Sequence, residues 1–75
     1  MVEPLPEDSA YILSMIRRHP GVNGRVIMIE TGFEHDHCID AIKVLVLEGL
    51  AYLKFDNPED WFRPRFEICR FFPRI

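Results

Sequence analysis

GFEHDHCIDAIKVLVLEGL, residues 32 to 50, decides how this chain is read. It opens with Glu34, His35, Asp36, His37 and Cys38 in succession and then turns apolar. The opening block has the residue types of a metal or catalytic site. It equally suits the first turn of a helix, where acids complement the helix dipole by about 0.3–1 kcal/mol each. From about Glu34 to Glu48, Cys38, Ala41, Ile42 and Leu45 line one helical face, and Gly49 follows as a stop.

In such a helix His35 and His37 point to different faces, so one ion cannot take both. Zinc motifs use CxxC or HxxxH separations, and a structural site needs a full tetrahedral set. Asp36 and Asp40 stand one helical turn apart, but a lone carboxylate pair is a weak site for a hard cation. Cys38 falls on the inward face, where a thiol is inert, which weakens any Cys–His nucleophile. The helix start prevails. The expectation is a non-enzymatic protein with no metal, no cofactor and no small-molecule substrate.

Working outward, MVEPLPE (residues 1–7) reads as an irregular lead-in, and residues 8–75 as the folded domain. Asp8 or Ser9 is expected to cap a first helix carrying Ile12, Met15 and Ile16 inward, ending in Arg17, Arg18 and His19 before Pro20-Gly21. Residues 22–31, VNGRVIMIET, support a short helix after Asn23 that stops at Gly32, or a buried strand over VIMI; the helix is preferred. Leu50 to Phe55 reads as a strand, and Asn57 to Asp60 as a turn. Over residues 61–72, WFRPRFEICRFF, the alternation predicts a strand with Arg63, Arg65, Glu67 and Cys69 on one face. Pro64 places the start of that strand on an edge.

The order of helices and strands, with Thr31-Gly32-Phe33 as a turn and then Ala41-Ile42, Leu45 and Gly49-Leu50, resembles a winged-helix domain. The expected fold class is therefore α+β, with three helices followed by a β-hairpin wing. The resemblance covers about residues 8 to 72 and implies that the third helix is the recognition helix. Family members commonly place that helix in the DNA major groove, with the wing on the backbone. The fold alone does not carry that function across.

Residue by residue, the outward face of the third helix departs from such a role. With Ile42 and Leu45 inward, it presents Asp36, His37, Asp40, Lys43, Val44 and Leu47. Base edges and phosphates call for Arg, Lys, Asn, Gln, Ser or Thr. Carboxylates are repelled there, and Asp40 lies too far along to be explained by the dipole. Glu34 also stands where the family often has a Ser or Thr cap. Val44 and Leu47 among charges have the character of a protein interface.

The opposing signal is the crowding of arginines in the last quarter. Arg63, Arg65 and Arg70, with Trp61 to stack and Arg74 nearby, form the DNA-binding alternative; charges that keep a strand edge from pairing explain them as well. Phe71 and Phe72 face opposite ways on a strand, which makes them candidates for a homodimer interface.

Composition bounds the rest. Seventy-five residues, 48% apolar and 28% charged, make one domain, and a formal charge of −3 lacks the basic excess usual in nucleic-acid binders. Cys38 and Cys69 suggest reduced buried thiols. No stretch approaches the roughly 20 apolar residues of a membrane span, and the N-terminus lacks a signal-peptide pattern. The expectation is a cytoplasmic regulatory module that binds a protein through its third helix. Duplex DNA, bound through the wing, is the alternative.

Overall fold

The computed structural model describes residues 5–74. Most of the expected lead-in, residues 1–4, lies outside them, and so does Ile75. Helix α1 spans Glu7–Arg18, strand β1 Val22–Asn23, α2 Gly24–Thr31, α3 His35–Leu47, β2 Ala51–Lys54 and β3 Arg70–Pro73. Two 3-10 turns, Pro58–Trp61 and Phe66–Ile68, separate β2 from β3. The result is a mixed α+β domain with three helices and one antiparallel sheet in the order β1-β3-β2. That layout is compatible with a winged-helix arrangement.

The helix expectations hold in outline and change at the ends. Pro6, not Asp8 or Ser9, stands at the N-cap of α1, with the Ala10 amide donating to the Pro6 carbonyl at 2.9 Å. The two expected caps serve tertiary contacts. Ser9 is 1% exposed and its hydroxyl donates to the Ala41 carbonyl on α3 at 2.8 Å. Asp8 meets His37 on the same helix.

Residues 24–31 are helical, and both expected signals are used. The Asn23 side chain accepts from the Val26 amide at 2.9 Å, and Gly32 closes the helix in the left-handed region at φ 73°. Thr31 pins the turn into α3, its hydroxyl donating to the Ile27 carbonyl at 2.7 Å and accepting from the Phe33 amide at 3.2 Å. Glu34 occupies the N-cap of α3 without a side-chain capping bond.

Ile12, Leu13, Met15 and Ile16 of α1, Ile27 of α2, and Cys38, Ala41, Ile42 and Leu45 of α3 converge on Ala51 and Phe71 of the sheet. Each large aliphatic or aromatic side chain buried in this way contributes about 1.5–3 kcal/mol. β1 is an element the sequence reading lacked. Its two residues become a strand by pairing with β3, Val22 opposite Phe71 and Asn23 opposite Arg70.

The strand expected over residues 63 to 69 is absent. Strand β3 begins only at Arg70, where β2 and β1 supply partners on both sides. Before that point no extended segment runs alongside, because Pro58–Trp61 winds into a 3-10 turn. Pro64 has no amide to donate in any case. Residues 66–68 turn instead and dock on α2, with the Gly24 amide donating to the Cys69 carbonyl at 3.0 Å.

Candidate functional site

Helix α3 is apolar on more than its core face. Residues 44–47 read VLVL, and Val46 and Leu47 are exposed, Leu47 at 85%. Ile39 and Val46, one heptad apart, sit beside the core stripe of Cys38, Ile42 and Leu45 and face the segment linking β2 to β3. Together they form one wall of an open groove of about 670 Å³. Its other wall is built from Leu53, Phe55, Trp61 and Phe66. Phe55 and Trp61 brace that wall edge to face, ring centroids 5.0 Å apart. Lys43 from α3 and Arg65 from the linking segment are the charged residues lining the groove.

The six residues expected as one partner-binding face are therefore divided. Lys43 and Leu47 border the groove. Asp36 and Asp40 share the exposed stripe of Lys43 and Leu47 at helical spacing but do not line the groove, and Asp36 contacts His35 Nδ1 at 3.2 Å. His37 is committed to its own fold: its Nε2 lies 2.5 Å from Asp8 Oδ2, and its ring stacks on Phe33 with centroids 4.2 Å apart. Val44 is half-buried. The contiguous apolar surface is thus turned toward the sheet side of α3.

The arginine set separates too. Arg70 Nε lies 2.9 Å from both Asp56 carboxylate oxygens, and its Nη1 donates to the Gly21 carbonyl at 3.1 Å. Its charge is already met within the fold. Arg74 lies over the Tyr52 ring at 5.4 Å. Arg63 and Arg65 are exposed and enter no ion pair among the described residues, but they stand in an irregular segment and share no strand face. Trp61 is 55% exposed at the groove edge.

Phe71 and Phe72 do point opposite ways. Phe71 is 2% exposed in the chain's own core, so its side chain has no surface left for a second copy. Phe72 is half-buried on the outer sheet face, stacked on Tyr52 at 5.4 Å.

His35 and His37 diverge as the helix geometry requires, His35 toward Glu67 at 3.9 Å and His37 toward Asp8. Among the described residues no three His, Cys, Asp or Glu side chains gather where one ion could bind them. Burial pushes the Cys69 thiol up to about 11. Burial also raises Cys38, partly offset by its contact with Thr31. No described helix is long and apolar enough to cross a membrane.

The residues missed at the sequence level are Ile39, Val46, Leu53, Phe55 and Phe66. The signal available was the width of the apolar band in VLVL, which exceeds the single face a helix buries on one side. No family model, curated protein or solved structure matches the chain.

Proposed function

We propose that this chain is a non-enzymatic, winged-helix-like regulatory module that acts by binding a protein through the face shared by α3 and the β2–β3 segment. The observation that carries this reading is the apolar groove between Ile39, Val46 and Leu47 on one side and Phe55, Trp61 and Phe66 on the other. Exposed apolar surface of this kind, with charge confined to its rim, has the anatomy of a protein interface. Asp36 and Asp40 on the exposed side of α3 would meet phosphates unfavourably if α3 entered a major groove.

A photo-crosslinking residue placed at Leu47 tests the reading in the native cell, with the same residue at exposed Tyr11 of α1 as control. Discrete protein adducts from position 47, absent from position 11, support it. Equal or absent adducts at both positions refute it.

The second reading is a DNA-binding regulator docked through the wing. It is favoured by Arg63 and Arg65, exposed cations outside every ion pair among the described residues. Titration onto labelled mixed duplex DNA decides it. Binding that falls steeply between about 50 and 200 mM salt makes it the lead, and no binding at the lower salt removes it.

A further inference from the structure

We propose that the occupant of the groove is a second copy of this chain, each copy inserting Phe62 and the acids beside it into the groove of the other. The inference rests on the reading of this face as a protein-binding surface and names its partner.

The knob directly adjoins the hole in the chain. Phe62 is 87% exposed, among the largest apolar exposures in the chain. It directly follows Trp61, which lines the groove, while Phe62 itself does not. A two-fold interface uses the same patch on both subunits, so a projection and its receptor must adjoin. Phe62 meets that requirement through its neighbour Trp61, which lines the groove. An aromatic anchor entering an apolar recess is also the usual form of a dominant contact.

Charge complementarity selects the second copy over a generic apolar segment. The residues leading into Phe62 are Glu59, Asp60 and Trp61, with Glu59 exposed and Asp60 half-buried. The groove receiving them carries Lys43 on one wall and Arg65 on the other, and neither enters an ion pair among the described residues. Acids on the tip thus oppose cations on the rim, in both directions across the axis.

A standard interface buries about 800 Å² per partner, which would cover roughly one-seventh of the 5533 Å² this chain exposes. A domain of this length has a small core, and covering Phe62 and Leu47 removes from water its two most exposed large apolar side chains among the described residues.

Sedimentation velocity on the whole chain, from about 1 µM to 1 mM, tests the proposal. The wild type is expected to pass from monomer to dimer within that range. Phe62→Asp, at a site too exposed to unfold the chain, should weaken association by about 100-fold. The decisive arm uses two charge variants: Glu59→Lys with Asp60→Lys, and Lys43→Glu with Arg65→Glu. Each alone should be monomeric, because like charges then meet at the rim. Mixed, they should form a one-to-one heterodimer, because both contacts regain opposite signs. A monomeric wild type overturns the proposal, as does a dimer indifferent to Phe62→Asp or a mixture that fails to pair. If the wild type is monomeric while position 47 still crosslinks to another protein, this inference fails and the interaction reading stands.

Discussion

A Cβ added to Gly24 would fall 2.1 Å from the carbonyl oxygen of Phe66. The first residue of α2 is a glycine because the 3-10 turn Phe66–Ile68 lies directly against it. This contact, with the Gly24–Cys69 hydrogen bond, fixes where the linking segment stands relative to the helices. The groove wall that Phe66 contributes depends on it.

Gly24→Ala is therefore expected to destabilise the fold at or above the upper end of the about 1–3 kcal/mol typical of overpacking. The neighbour is backbone and cannot swing aside. Gly32→Ala, with nothing within 4 Å but φ at +73°, should lose only the left-handed strain of about 1–2 kcal/mol. Urea midpoints of the two variants check the order; equal losses would mean that the Phe66 approach is looser than described.

Leu45 and Leu47 lie two residues apart on α3, at 0% and 85% exposure. Leu45→Ala should cost about 2–5 kcal/mol by opening a core cavity. Leu47→Asp should leave stability within about 0.5 kcal/mol while weakening pairing at the groove. Thermal melts beside the sedimentation data separate the two roles.

Arg70 Nε makes a bifurcated contact with both Asp56 carboxylate oxygens, and the Asp56 and Arg70 side chains are 64% and 44% exposed. Solvent screening holds its worth below about 1 kcal/mol, so Asp56→Asn should scarcely move the melting temperature. It would, however, release the Arg70 charge. If the β2–β3 segment contacts DNA, Asp56→Asn should tighten that binding and steepen its salt dependence, as anisotropy at two salt concentrations would show.

Cys69 gives the fold an alkaline limit. Its thiol is raised by burial from 9.0 to about 11, so the folded chain keeps a proton that the unfolded chain gives up. This contribution is fully present below pH 9 and is lost as pH rises toward 11. Cys38, raised in the same sense, adds to the slope. Urea unfolding at neutral pH and between 9 and 11 should show stability falling, with a shallower fall in Cys69→Ala. A stability flat across that window would contradict it.

Helical periodicity exposed the inward face of α3, because burial on one side of a helix imposes its spacing on neighbouring residues. Caps were legible for the same local reason: Asn23 and Gly32 act on backbone groups within a few residues. At the start of α1 the local rule failed. Ser9 and Asp8 have capping chemistry, yet each found a better partner on α3 in Ala41 and His37. The alternation from Arg63 to Cys69 failed differently. A strand needs a partner at the right height, and none runs beside those residues.

What the sequence determined by itself was thus the set of helices, their inward stripes and their stops, all consequences of short-range backbone chemistry. The tertiary structure alone decided that Val22 and Asn23 pair as a strand, that Phe71 is core while Phe72 is not, and that Asp56 holds Arg70. It alone opened a groove between α3 and the β2–β3 linking segment, because that surface joins residues far apart in the chain, brought together only by the packed core beneath them.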